Sequence, residues 1–246
     1  MCRPRFGRAV DAGPAINVGL LIGRSSRRRL QACVGSSRLA IERLGSPYGG
    51  WVVRTVLLEE PATAICAGAG EDISFDIELL RRGMSVVTLD PTPRAVSHVK
   101  GVMAAEGSDP GRFRFLPLGL AGTDGSRRFY PPRRAAHVSH SITNLQETTG
   151  GFVAECLTVR TLCEREGVVS PAILKMDIEG AENEVLADLV KHGPYPKAIC
   201  VEFEDVRMSP ESGCVRAIEH VEALRACGYD LLHVEDANAL FVRRDL

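Results

Sequence analysis

The chain has 246 residues, enough to bury a sizeable core within one domain of ordinary size. Hydrophobic residues make up 45% and charged residues 25%, which is a globular composition. No apolar run approaches the roughly 18 residues that a membrane-spanning helix needs. The net charge is −1 but unevenly spread: residues 1–45 carry nine arginines against Asp11 and Glu42, and the remaining 201 residues carry 21 basic and 29 acidic side chains. An acidic body argues against nucleic acid as the main partner.

The basic arm reads as a poorly ordered leader of residues 1–45 ahead of one domain at 46–246. Its arginine-rich, acid-poor composition is also that of organellar transit peptides. None of the eight cysteines (2, 33, 66, 156, 163, 200, 214, 227) forms a C-x-x-C pair, and Cys66 and Cys200 lie inside apolar runs. That usage predicts reduced, buried thiols in a cytoplasmic protein and no disulfide framework or zinc site.

Tyr48 and Trp51 precede the first strong strand, where they either cover an acceptor or anchor the entry segment. Strands are predicted at Thr63–Ala67, Ser85–Leu89, Arg114–Leu118, Ala172–Met176, Ala198–Phe203, Asp230–Val234 and Ala239–Val242. Amphipathic stretches lie between most of them, such as Ile73, Ile77 and Leu80, or Ala181, Val185 and Leu189. The alternation predicts βαβ units and a mostly parallel sheet covered on both faces. Residues 119–152 depart from it, being rich in Gly, Pro, Ser and Thr with no clear helix. An excursion of that length is usually functional or mobile. The last two strands have no room for a helix between them and should pair as an antiparallel hairpin.

Ligands of such sheets sit beyond the C-terminal strand ends, near the switch point. Gly68 and Gly70 follow the first strand, where glycine permits a sharp turn and close approach to a ligand. Asp90 closes the second strand, placed to accept hydrogen bonds from an adenosine ribose. A dinucleotide fingerprint would need a third glycine, but Ile73 stands there, preceded by Glu71 and Asp72. Two carboxylates repel a pyrophosphate and suit the sulfonium and ammonium of S-adenosylmethionine. Two competing readings are a non-catalytic protein of the same fold acting as a binding subunit, and an NAD-linked oxidoreductase.

"KMDIEGAE" puts Asp177 and Glu179 just past the fourth strand. Asp177 and Gly180 also suit a helix start, and Glu179 and Glu182 suit a helix's first turn. Asp177 is expected beside cofactor or acceptor, and Glu179 as acceptor contact or base. His137 and His140 lie in the long excursion, and either could be a base if that segment folds over the cleft. Asp177, Glu179, Glu202 and Glu204 all follow strand ends, where oxygen ligands could cluster on a divalent cation. Their spacing is no fixed ligand motif, and no metal is assigned. Lys175 is expected to form an ion pair.

The segments "YGGW", "GAGEDISFD", "LDPTP", "HVSHSI", "LKMDIEGAENEVL", "VEFED" and the closing "GYDLLHVEDANALFVRR" together resemble the FkbM-type methyltransferases. The resemblance covers roughly residues 45–246. It implies an α/β, Rossmann-like class I methyltransferase sheet of seven mostly parallel strands ending in an antiparallel hairpin. It further implies S-adenosylmethionine as donor and O-methylation of a hydroxyl on a sugar, glycolipid, polyketide or related metabolite. By the same resemblance Cys66, Ala67, Gly68, Gly70 and Asp72 line the methionine part of the cofactor. Asp90 meets the ribose with Pro91 and Thr92 beside it, and Gly119 and Leu120 flank the adenine. One departure stands out: many members carry an acid where this chain has Cys66. Glu71 or Asp72, or backbone carbonyls and water, would have to hold the cofactor's ammonium instead.

Overall fold

The computed structural model describes residues 27–35, 39–107, 111–133, 139–144 and 146–246. Most of the basic arm and His137 therefore lie outside the described residues. Within 27–45, Leu30 is fully buried in the core, and Gly35 donates its N–H to the Leu231 carbonyl at 2.9 Å. Strand β1 (Ile41–Leu44) pairs antiparallel with β2 (Trp51–Arg54), so one ribbon spans position 45.

The main sheet has seven strands in the order β11-β12-β10-β9-β3-β4-β5. They are β3 (Thr63–Ala67), β4 (Ser85–Leu89), β5 (Phe113–Leu116), β9 (Ile173–Met176), β10 (Ala198–Glu202), β11 (Tyr229–Glu235) and β12 (Asn238–Arg243). All pairings are parallel except those of β12, which runs antiparallel to both β10 and β11. The chain leaves β3 for β4 on one side and returns to β9 on the other, so the switch point lies between β3 and β9. Helices α1 (Ser74–Arg81), α2 (Pro93–Glu106), α3 (Val159–Glu166), α4 (Glu182–His192), α5 (Glu204–Met208) and α6 (Pro210–Ala226) supply the crossovers and cover the faces.

Alternation along the strands feeds two cores. Ile65, Leu174, Met176 and Ile199 face α3, α4 and α6 on one side. Ala64, Cys66, Ile173 and Cys200 face α1, α2 and β2 on the other. This double coverage is why these strands are apolar at nearly every position. Helix α2 is set by local rules: Thr92 accepts from the Ala95 N–H as N-cap, Pro93 opens the first turn, and Gly107 ends it at φ 71°.

The described residues of the excursion at 119–152 contain no helix, as its composition predicts, but they are not structureless. Strands β6 (Gly119–Leu120), β7 (Gly125–Phe129) and β8 (Phe152–Leu157) form a separate three-stranded sheet in the order β6-β8-β7. Stacked rings of Phe129 and Phe152, 5.3 Å apart, close its base. Between β7 and β8, Tyr130 pairs with Ser141, and the Ser141 hydroxyl reaches the Glu179 carbonyl beyond β9. No helix among the described residues is long and apolar enough to cross a membrane.

Candidate active site

The glycine loop is fixed from several directions. Gly68 has φ 86°, and a Cβ there would lie 1.8 Å from the Asp177 carbonyl oxygen, so only glycine lets the ends of β3 and β9 meet. Gly70, at φ 51°, has nothing within 4 Å of its Cβ position and leaves the crown of the loop open. The Asp90 carboxylate draws the loop in: Oδ2 accepts from Ala69 N at 3.0 Å and Gly70 N at 2.9 Å. Its Oδ1 accepts from Thr92 N at 2.8 Å and Thr92 Oγ1 at 2.7 Å. A carboxylate offers about four lone-pair positions, and the chain itself fills all of them. Asp90 thus first shapes the loop, and a ribose hydroxyl bonding to it has to displace one of these donors.

Neither loop acid is free for an ammonium. Glu71 pairs with Arg94 at 2.7 Å on the surface. Asp72 accepts from Ser46 Oγ at 2.5 Å and from Ser74 N at 2.8 Å, tying the Ser46–Gly50 turn to the start of α1. Against the penalty of burial, those bonds hold its carboxyl below the usual range. Cys66 and Ala67 are 1% exposed and give the cleft no side-chain surface. Burial, then the nearby Asp76, push the Cys66 thiol well up, so it stays neutral. Beneath it the buried Asp76 of α1 accepts from Thr88 Oγ1 at 2.5 Å. Gly119 and Leu120 are buried in β6; a Cβ on Gly119 would lie 2.5 Å from Cys156 Sγ. Pro91 keeps a half-exposed position on the rim, next to buried Thr92.

The second strand end gathers carboxylates. Asp177 does not cap a helix; α4 begins at Glu182 with Ala181 as N-cap and no side-chain cap bond. Asp177 instead sits between Lys175, 3.8 Å away, and Glu202, whose charge it opposes. Burial, then Asp177, push the Glu202 carboxyl up to about 7 despite Arg207 at 2.6 Å. Glu179 has φ 54°, a left-handed conformation costly for a side chain of this kind. The turn is held from both sides. Ser141 Oγ donates to the Glu179 carbonyl at 2.5 Å, and Gly180 N donates to Glu182 Oε2 at 2.7 Å. Glu182 was expected only as a first-turn acid; it is fully buried and also accepts from Glu204 N at 2.9 Å.

Glu179 and Glu204 form one wall of a narrow pocket whose other walls are Tyr130, Pro131, Ser141 and Thr148 of the excursion. Burial, then Glu179, push the Glu204 carboxyl up to about 8. His140 packs its ring against Phe152 at 5.4 Å. Trp51 is buried as an anchor, whereas Tyr48 is 89% exposed. The four carboxylates considered as cation ligands do gather at these strand ends, but no three acids, histidines or cysteines among the described residues are grouped to hold a metal. Sequence reasoning named Glu204 only as a metal ligand and missed its place on the pocket wall. Its one signal was its position two residues beyond the end of β10.

A central parallel sheet closed by an antiparallel strand between β10 and β11 is the class I methyltransferase arrangement. The Methyltransferase FkbM domain model matches residues 63–231, and the chain belongs to that family. A curated relative, the hexuronic acid methyltransferase AglP of Haloferax volcanii, is 27% identical over 137 residues, 55% of this chain. The chain spans about half the length of that relative, 54%. The crystal structure of an FkbM methyltransferase from Methylobacillus flagellatus KT aligns over 74% of this chain and 43% of that one, at 12% identity and a TM-score of 0.47. The SAH-bound methyltransferase PaMTH1 of Podospora anserina aligns over 94% and 89%, at 12% identity and a TM-score of 0.44.

Proposed function

We propose that this chain is an S-adenosylmethionine-dependent O-methyltransferase acting on a hydroxyl of a sugar or a sugar-bearing metabolite. The observation that carries the reading is that the turns after β9 and β10 bring Glu179 and Glu204 together beside the glycine loop, which the turn after β9 meets through the close approach of Gly68 to Asp177. S-adenosylmethionine supplies a methyl group on a sulfonium, already a good leaving group. What remains for the protein is to position a hydroxyl and take its proton.

The loop fits such a cofactor by its chemistry. It has no third glycine for a pyrophosphate, and its open crown at Gly70 admits a ligand without a Cβ in the way. Gly68, Gly70, Asp90, Pro91 and Thr92 would hold it. On the acceptor side, Glu179 takes the proton and Glu204 stands beside it, with a carboxyl that changes charge near neutral pH. Asp177 and Glu202, close enough to raise the Glu202 carboxyl, keep the ends of β9 and β10 polar. The sugar assignment draws on the hexuronic acid methyltransferase relative. All seven cysteines of the described residues are free and five are buried, which supports a reducing, cytoplasmic setting.

The test is methyl transfer from labelled S-adenosylmethionine to a panel of methyl glycosides, uronic acids and hydroxylated metabolites. Transfer to at least one sugar hydroxyl is expected. S-adenosylhomocysteine binding without transfer to any hydroxyl would favour a binding subunit, and no binding at all would remove the cofactor.

A further inference from the structure

We propose that Lys175 is the positioning residue of the cofactor loop, clamping the Gly68–Ala69 peptide against Asp90 so that the loop presents a fixed backbone to the amino acid end of the cofactor. This rests on the S-adenosylmethionine reading above.

Lys175 lies in β9, one of the central strands of the sheet, and is 5% exposed. It stands in register with Cys66 of β3 and Cys200 of β10, on the face covered by α1 and β2. A methionine or leucine would fill such a place at no electrostatic cost. A buried ammonium persists only where its charge and its N–H groups are met. Here Nζ donates to the Gly68 carbonyl at 2.5 Å, lies 3.8 Å from Asp177 Oδ2 and stands 5.6 Å from the centre of the Trp51 ring. The buried Asp76 carboxyl also feels its charge. The cation is thus held from α1, β2 and the end of β9 while reaching into the loop beyond β3.

The decisive relation is that the Gly68 carbonyl and the Ala69 N–H belong to one peptide unit. Lys175 grips its oxygen, and Asp90 grips its nitrogen at 3.0 Å. Side chains of opposite charge therefore pull on opposite ends of a single peptide plane. Glycine places little barrier against turning that plane about its own Cα–C bond, because it has no Cβ to clash. Steric fit at Gly68 fixes where the loop starts, and the paired charges fix which way its carbonyls and amides point. Glu71, Asp72 and Cys66 are all committed elsewhere, so the orientation of this backbone is what the loop itself offers a cofactor's ammonium and carboxylate.

The experiment compares two ligands by calorimetry: S-adenosylhomocysteine, and 5′-methylthioadenosine, which shares its nucleoside and thioether but lacks the amino acid part. For Lys175→Met, S-adenosylhomocysteine affinity should fall at least tenfold while that of methylthioadenosine stays within about twofold. Should Lys175→Met fail to fold because Asp76 is left uncompensated, the double variant Asp76→Asn/Lys175→Met leaves no unpaired buried charge and carries the same expectation. Unchanged S-adenosylhomocysteine affinity overturns the proposal, as does an equal loss for both ligands, which would mark a general structural role. A wild-type protein that binds neither ligand removes the cofactor reading and this proposal with it; tight wild-type binding with an indifferent variant removes the proposal alone.

Discussion

Glu182 Oε1 accepts the backbone N–H of Glu204 at 2.9 Å, joining the turn after β9 to the turn after β10. Its other oxygen accepts from Gly180 N at 2.7 Å, so one buried carboxylate staples both turns that carry the pocket acids. Burial pushes its carboxyl up to about 7 against the pull of those N–H donors. Glu182→Gln should leave one of the two donors facing an amide NH₂. A buried donor without an acceptor costs roughly 1–3 kcal/mol. Urea denaturation should show that loss, and the pocket side chains should lose their register. Full retention of stability would mean the two turns are held by other contacts.

Glu179 and Glu204 share a wall but not an environment. Glu204 is 8% exposed and its carboxyl is shifted to about 8, whereas Glu179 is half-buried on a turn with φ 54°. Glu179→Gln should keep S-adenosylhomocysteine affinity and lower turnover by about 100-fold or more, the usual worth of a general base. Glu204→Gln should cost less and flatten the pH dependence of kcat/KM near 8. Equal turnover in Glu179→Gln and wild type would assign the proton to another group.

Three buried carboxyls, Glu182, Glu202 and Glu204, keep their protons to about 7, 7 and 8 in the folded chain. Unfolded glutamates release theirs near 4.3. The folded state therefore binds more protons across this window, and its stability falls as pH rises through 7 to 8. His220 and His233 pull the other way, since burial lowers both below their ordinary value, but that contribution is complete once they are neutral in both states. A melting temperature lower at pH 9 than at pH 7 is expected. About 1 kcal/mol corresponds to roughly 2–4 °C at this size. Glu204→Gln should reduce the drop, and a melting temperature that rises from pH 7 to 9 would refute the burial of these groups.

The two loop glycines should respond differently to alanine. At Gly68 the new Cβ meets the Asp177 carbonyl at 1.8 Å, and at Gly70 it meets nothing within 4 Å. Both positions carry a positive φ, which costs a side chain about 1–3 kcal/mol. Gly68→Ala adds a clash that only separation of β3 and β9 relieves, so it should destabilise by about 3 kcal/mol or more. Gly70→Ala should cost only the backbone strain while weakening S-adenosylhomocysteine binding. Equal destabilisation by the two substitutions would contradict the close contact at Gly68.

The sequence by itself determined the sheet. Parallel strands covered on both faces are apolar at nearly every position, and that pattern needs no knowledge of neighbours, so all seven were legible within a few residues. The closing hairpin was equally plain, because four residues between two strands leave no room for a helix. The missing third glycine and the acids of the loop spoke against a dinucleotide for the same local reason, namely charge and the need for a residue without a Cβ.

Tertiary structure decided what those residues hold. Strand β7 finds its partner more than twenty residues away in β8, so the small sheet had no local signature in a stretch rich in glycine and proline. Asp90, Asp72 and Glu182 look like ligand or cap residues in one dimension, yet each is taken by backbone donors or hydroxyls from segments that the fold brings in. Lys175 and Asp76 are 99 positions apart in sequence and feel each other's charge only because β9 and α1 share one covered face of the sheet. A hydrogen bond depends on distance and direction between groups remote in the chain, and that relation exists only once the sheet has assembled.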